Sequence, residues 1–246
     1  MKIFIMDDYE AMSEKAASLV AAQMILKNNS VLGLATGSTP EGMYRKLVEK
    51  YQQQQIDFHE VMSFNLDEYY PILPENKESY AYYMNHHLFQ HVNLKKENIH
   101  IPSGSHQKVE ETCKNYDQEI AKAGNIDLQI LGIGNNGHIG FNEPDIKFEA
   151  GTHLVSLDEA TIEANSRFFD SIEAVPKTAI SMGIRNIMHS KKIVLLANGK
   201  AKANILKEML SGPVTPNLPA SILQLHNDVT IIVDEEAAEG IKELIQ

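Results

Sequence analysis

Tryptophan is absent from the 246-residue chain, cysteine occurs once, and aromatic residues make up only 7%. A lone cysteine, Cys113, excludes an internal disulfide and fits a reducing compartment. It stands in the polar run Glu110-Glu111-Thr112-Cys113-Lys114 with no local sign of thiol activation, and reads as an ordinary helix residue. No apolar run approaches the roughly 18 residues of a membrane span. The start, Met1-Lys2-Ile3-Phe4-Ile5-Met6-Asp7-Asp8, turns acidic too early for a secretory signal, so the expectation is a cytoplasmic protein with no membrane partner. Positive charge is scarce. Lys plus Arg is 22 against 33 Asp plus Glu, so the net charge is 22 − 33 = −11 with His neutral. Such a surface repels nucleic acid, and no nucleic-acid partner is expected. An anionic small ligand remains open, because it requires only that a few cations converge in one pocket. With 43% hydrophobic residues there is ample material for a core. Repeats, low-complexity tracts and long linkers are lacking, so one domain over residues 1–246 is expected.

What is present is an alternation of short apolar runs with longer helical patterns. Residues 2–6, 30–35, 61–65, 128–132, 192–197 and 229–233 read as strands, most of them nearly continuous in apolar residues, as in a parallel sheet covered on both faces. Residues 9–27, 40–54, 108–123, 158–169, 200–209 and 235–245 read as helices. This order predicts an α/β fold: a doubly wound, mostly parallel sheet with helices on both faces. Ligands of such sheets bind beyond the carboxyl ends of the strands, so chemistry is sought just after each apolar run.

Three such places stand out. After the second run comes Thr36-Gly37-Ser38-Thr39-Pro40, in which Thr39 fits an N-cap and Pro40 a first helical residue. Free N–H groups there, with the hydroxyls of Thr36, Ser38 and Thr39, suit a phosphate, although an ordinary capped βα turn has the same composition. It is neither a P-loop nor a dinucleotide fingerprint. After the third run, Leu66-Asp67-Glu68-Tyr69-Tyr70-Pro71 brings two adjacent carboxylates to a strand end. Alternation of side chains lets only one face a cleft as a general base, the other being a surface or structural group. After the fourth run, Gly132-Ile133-Gly134-Asn135-Asn136-Gly137-His138-Ile139-Gly140-Phe141-Asn142-Glu143-Pro144 places four glycines in nine positions and puts His138 and Glu143 in one loop. Their pairing would orient an imidazole for work as a base. The GxGxxG spacing here runs into Pro144 rather than a helix, which argues against a dinucleotide site, and one His with one Glu is too few for a metal.

Only three arginines are present, Arg45, Arg167 and Arg185. Arg167, in Asn165-Ser166-Arg167-Phe168-Phe169, reads as a partly buried side chain that serves either a phosphate clamp or an internal ion pair. Lys200 and Lys202 open the helix after the fifth run, and one of the two is expected to be merely solvated.

Taken together, these segments resemble the glucosamine-6-phosphate deaminase family, also called glucosamine-6-phosphate isomerases. Besides the three motifs, Ser79-Tyr80, Ser166-Arg167, Lys202-Ala203 and Leu223-Gln224-Leu225-His226 match in the same order along most of the chain. The run from His138 to Pro144 resembles the deaminase branch. The related 6-phosphogluconolactonases look like GxGxDGHxASLFP there, and that ending is missing. The resemblance implies a Rossmann-like fold, a small-molecule amino-sugar phosphate as substrate, no cofactor and no metal. It implies the conversion of glucosamine 6-phosphate and water to fructose 6-phosphate and ammonia in amino-sugar catabolism. Position by position, Asp67 matches the base that moves the C2 proton to C1, His138 the ring-opening base and Glu143 its partner. Gly37, Ser38, Thr39, Arg167 and Lys202 match the phosphate site. Asn136 stands where many members carry Asp, which implies that it holds His138 by hydrogen bonding only.

A second departure concerns regulation. Allosterically activated members resemble one another in a Ser-rich basic segment after Asn-Glu-Pro and in a longer C-terminal tail, whereas this chain reads Asp145-Ile146-Lys147-Phe148-Glu149 and ends at Gln246. No activation by N-acetylglucosamine 6-phosphate is expected, and a monomer or small homo-oligomer fits as well as a hexamer. The rival readings are a related sugar-phosphate enzyme such as a 6-phosphogluconolactonase, and a non-catalytic sugar-phosphate sensor. A sensor of the transcription-regulator kind carries a basic DNA-binding module that is not found here.

Overall fold

A computed structural model describes residues 1–244. Ten strands occur among them: β1 (Lys2–Met6), β2 (Val31–Leu34), β3 (Met62–Asn65), β4 (Asp67–Tyr70), β5 (Ile99–His100), β6 (Leu128–Leu131), β7 (His153–Ser156), β8 (Thr178–Ser181), β9 (Lys192–Ala197) and β10 (Val229–Asp234). The helices are α1 (Tyr9–Leu26), α2 (Glu41–Gln52), α3 (Tyr80–His87), α4 (Val109–Lys122), α5 (Glu159–Asn165), α6 (Ile184–Met188), α7 (Ala203–Ser211) and α8 (Glu235–Ala238).

Seven strands form a wholly parallel sheet in the order β1-β10-β9-β6-β2-β3-β5. The central strands β2 and β6 are buried at every residue, whereas β1 and β5 at the edges are at most half-buried. This gradient is why the inner strands read as unbroken apolar runs. The chain leaves β2 towards β3 and β5, but leaves β6 towards β9 and β10 on the other side, where β10 pairs with the first strand, β1. The order therefore reverses between β2 and β6, which pair directly through Leu32 with Leu128 and Gly33 with Gln129. A crevice opens beyond the carboxyl ends of two such strands, because their outgoing connections diverge.

The sequence reading missed a second sheet. β4, β8 and β7 form an antiparallel ribbon over a small core of Tyr69, Ile72, Phe141, Leu157 and Ala179, apart from the main core. β4 reads Asp-Glu-Tyr-Tyr, which resembles a polar turn, yet the tertiary setting buries Asp67, Glu68 and Tyr69. α3 and α6 were not anticipated either.

Several expected helices are shorter. α2 starts at Glu41, with Pro40 in the cap position and no side-chain cap bond. The expected Thr39 cap is thus not made; its hydroxyl donates instead to Asn198 Oδ1 at 2.8 Å. The helix expected at 158–169 is α5, capped by Asp158 and followed by a 3-10 turn at Ser166–Phe168. The one expected from residue 200 opens as a 3-10 turn, Lys200–Lys202, before α7. That expected at 235–245 is α8 and a 3-10 turn Lys242–Leu244, and its last residue lies outside the described residues. No described helix is long and apolar enough to cross a membrane.

Candidate active site

The crevice at the reversal is a cleft of about 500 Å³ that brings together segments far apart in sequence. The turn after β2 supplies Thr36, Gly37, Ser38 and Thr39, β4 supplies Asp67, the loop after β6 supplies Asn136 and His138, and Arg167 and Lys202 complete the wall. Of the residues assigned to catalysis or the phosphate site from the sequence (Gly37, Ser38, Thr39, Asp67, Asn136, His138, Glu143, Arg167 and Lys202), all but Glu143 thus line one space, together with Thr36. Glu143 stands behind His138 with its side chain 8% exposed.

At one end the groups suit an anion. Gly37 sits at φ +93°, a conformation that favours glycine, and lets the turn reverse direction at the mouth of the cleft. Arg167 is exposed rather than partly buried: its guanidinium stacks over the Phe168 ring at 4.6 Å, which leaves its polar edge free to donate to Ser38 Oγ at 3.1 Å. Neither Arg45 nor Arg185 is so placed; they pair with Glu10 and Asp117. Lys202 donates to Asn135 Oδ1 at 2.6 Å, and its amine is pushed down to about 8 by burial first and by Arg167 second. Glu41 lies within electrostatic reach of Arg167, but neither cation forms a salt bridge with a described residue, and a bound phosphate would supply a counter-charge to both. Lys200 is the solvated lysine, 78% exposed and paired with Glu239.

At the other end lie a carboxyl and an imidazole, groups able to take up and release protons. Asp67 is 6% exposed, and burial, with Glu68 second, raises its carboxyl from the ordinary 3.8 to about 8. Gly140 packs beside it: a Cβ built there would stand 3.5 Å from Asp67 Oδ2. Glu68 points the other way. Its carboxylate accepts the N–H groups of Tyr69, Tyr80 and Ala81 at 2.8–2.9 Å, which makes it the anchor of the α3 N-terminus. The His138 ring bonds through Nδ1 to Glu143 Oε2 at 3.2 Å and lies 3.4 Å from Thr161 Oγ1. Burial raises the pKa of Glu143, but the bond to His138 and its charge outweigh this, with Thr161 and Asn136 adding, so the carboxyl ends below its usual value. Asn136 accepts the His138 backbone N–H at 3.2 Å and donates to Glu143 Oε2 at 2.7 Å, so it reaches the imidazole only through these two intermediaries. The ring lies directly on Gly134, where a Cβ would fall 2.3 Å from His138 Cε1.

The sequence reading did not single out Tyr80, Asn135, Thr161 or Asn198 as wall residues. Asn198 directly follows the apolar run 192–197 and was within reach of the strand-end rule; Thr161 carries no such signal. Among the described residues no group of three or more His, Cys, Asp or Glu is arranged to hold a metal ion.

A profile of the family described as glucosamine-6-phosphate isomerases/6-phosphogluconolactonase matches residues 7–232. The chain belongs to this family. Within it, a glucosamine-6-phosphate deaminase of Clostridium botulinum (strain Langeland) is 58% identical over 242 residues, covering 98% of this chain and 99% of that protein. The Clostridium acetobutylicum protein of the same name is 57% identical over 239 residues, covering 97% and 99%. The solved structure of a monomeric glucosamine-6-phosphate deaminase matches with a TM-score of 0.95 at 44% identity, covering 98% of this chain and 100% of that one. A 6-phosphogluconolactonase from Thermotoga maritima shares the fold at 22% identity and a TM-score of 0.73, covering 95% and 98%.

Proposed function

We propose that the protein is a deaminating aldose–ketose isomerase that converts glucosamine 6-phosphate and water to fructose 6-phosphate and ammonia. The observation that carries this reading is the polarity of the cleft, with an anion site of Ser38, Arg167 and Lys202 at one end and the Asp67 and His138 side chains at the other. The high identity to relatives named glucosamine-6-phosphate deaminase over nearly the whole chain supports it.

In this reading the substrate enters as a closed ring, with its phosphate on the Thr36–Thr39 turn, Arg167 and Lys202. His138, oriented by Glu143, takes the proton of the anomeric hydroxyl and delivers it to the ring oxygen as the C1–O bond breaks, and the ring opens to the aldehyde. The C2 proton is now acidic. Asp67 removes it and returns a proton to C1, while a proton passes from the C2 nitrogen to the aldehyde oxygen to make the C1 hydroxyl, which leaves an imine at C2. Water adds there and ammonia departs, so the balance is one water consumed for one ammonia released. Burial suits Asp67 to this double duty, because a carboxyl with a pKa near the working pH both accepts and donates a proton readily. The ammonium group on C2 brings positive charge to that carboxyl and favours its ionised form when the step begins.

The same reading makes the working unit a monomer or small homo-oligomer in the cytoplasm, supported by the match to a deaminase described as monomeric. The test is a coupled assay in which fructose 6-phosphate and ammonium appear from glucosamine 6-phosphate in equal amounts. Turnover of 6-phosphogluconolactone without release of ammonia from the amino sugar would replace this reading with a lactonase.

A further inference from the structure

Only nine tyrosines occur in the chain, and three of them, from three different helices, bond to one five-residue stretch. Tyr44 of α2 donates its hydroxyl to the Ala35 carbonyl at 2.5 Å. Tyr83 of α3 donates to the Gly37 carbonyl at 2.7 Å, and Tyr9 of α1 to the Ser38 carbonyl at 3.0 Å. The Tyr9 hydroxyl also accepts the N–H of Gly42 at 2.8 Å, tying the turn to the start of α2. The rings stand behind the turn. Tyr44 and Tyr83 meet edge to face at 6.5 Å, and Tyr9 lines a separate pocket with Glu41, Arg45, His86 and His87.

A planar trans peptide points its C=O and its N–H in opposite directions. Holding the carbonyls of residues 35, 37 and 38 on the tyrosine side therefore turns the N–H groups of Thr36, Ser38 and Thr39 to the other side. That other side is the cleft, since residues 35–39 line it. Without these three donors the Gly37 and Ser38 peptides could rotate, Gly37 being at a residue of high conformational freedom, and a carbonyl oxygen facing the cleft would repel an anion.

We propose that Tyr9, Tyr44 and Tyr83 are positioning residues that hold three backbone N–H groups towards the substrate phosphate. They would act on anion affinity and not on proton transfer. The proposal deepens the deaminase reading and rests on it for the identity of the anion, but its geometry holds for any phosphate monoester. Burial raises the pKa of Tyr44 and Tyr83 above the ordinary 10.0, which keeps both hydroxyls protonated as donors.

The test uses Tyr9→Phe and Tyr83→Phe, which delete a hydroxyl and keep the ring. Inorganic phosphate binding, followed by titration of the backbone amide resonances of residues 36–39, is read beside the kinetics. Each variant should weaken inorganic phosphate and raise KM for glucosamine 6-phosphate by about three- to tenfold, with kcat within about twofold of the parent. Tyr82→Phe, an exposed neighbour on α3, is the control and should change neither. Unchanged phosphate affinity in both variants, whether or not their melting temperatures fall, would overturn the proposal, as would a loss confined to kcat. Should the parent protein bind inorganic phosphate at this turn yet fail to deaminate the sugar, the functional reading fails while the phosphate titration still decides the role of the tyrosines.

Discussion

The guanidinium of Arg167 donates to Ser38 Oγ at 3.1 Å across 129 positions of sequence, joining two distant segments at the end of the cleft that suits an anion. Arg167→Ala should therefore raise KM for glucosamine 6-phosphate about ten- to a hundredfold, the usual worth of hydrogen bonds to a charged group, with a much smaller change in kcat. Steady-state kinetics with the full-length protein checks this; an unchanged KM would remove Arg167 from the phosphate site.

Asp67→Asn separates catalysis from stability. Loss of a positioned base should lower kcat by roughly 10²–10⁴, with substrate binding largely kept. The folded pKa of about 8 lies above the ordinary 3.8, so the proton on Asp67 stabilises the fold fully below pH 4. That stabilisation fades as pH rises and is gone above pH 8. Asparagine escapes the loss. In denaturant titrations the variant should gain on the parent between pH 5 and pH 9 by up to about 4 kcal/mol. A variant no more stable at pH 9 than at pH 5, relative to the parent, would contradict the raised pKa.

The imidazole lying on Gly134 makes that glycine a lever on His138. Gly134→Ala puts a methyl group 2.3 Å from Cε1 of a ring that is held from behind by Glu143 and Thr161. The ring must shift, and kcat should fall about a hundredfold. Glu143→Gln, which leaves the space intact but removes the charge, should cost about ten- to a hundredfold in kcat/KM. Full activity in both would detach His138 from the chemistry.

At the amino ends of the central strands β2 and β6, away from the cleft, the Asp127 carboxylate is 3% exposed and accepts from Lys27 at 2.5 Å, Lys191 at 2.7 Å and the Val31 N–H at 2.8 Å. Burial raises its pKa, but these partners outweigh it and the net shift is downward. The sign is therefore opposite to that of Asp67: its stabilisation is present above pH 4 and disappears as pH falls. Asp127→Asn should cost roughly 2–4 kcal/mol at pH 7, less at pH 3, with KM and kcat of the folded fraction unaltered. Chemical denaturation at the two pH values measures the difference.

Kinetics should be hyperbolic in glucosamine 6-phosphate and unchanged by N-acetylglucosamine 6-phosphate. A sigmoidal curve relieved by that compound would show an effector site that the segment 145–149 does not suggest.

Much of this molecule was legible in its order of residues. Strands buried on both faces need unbroken apolar runs, so β2, β6, β9 and β10 announced themselves, and with them the parallel sheet. The rule that ligands lie beyond strand ends then pointed to the turn at 36–39, to Asp67 and to the loop at 132–144. What local sequence leaves open is every choice that depends on neighbours distant along the chain. Asp67 and Glu68 are chemically alike and adjacent; pairing of β4 with β8 turned the first into the cleft, and the N-terminus of α3 claimed the second. Lys200 and Lys202 differ likewise only in what stands opposite them. Burial and hydrogen-bond partnership are properties of the folded surroundings, and it is these that raise one carboxyl, lower another and turn three backbone N–H groups towards an anion.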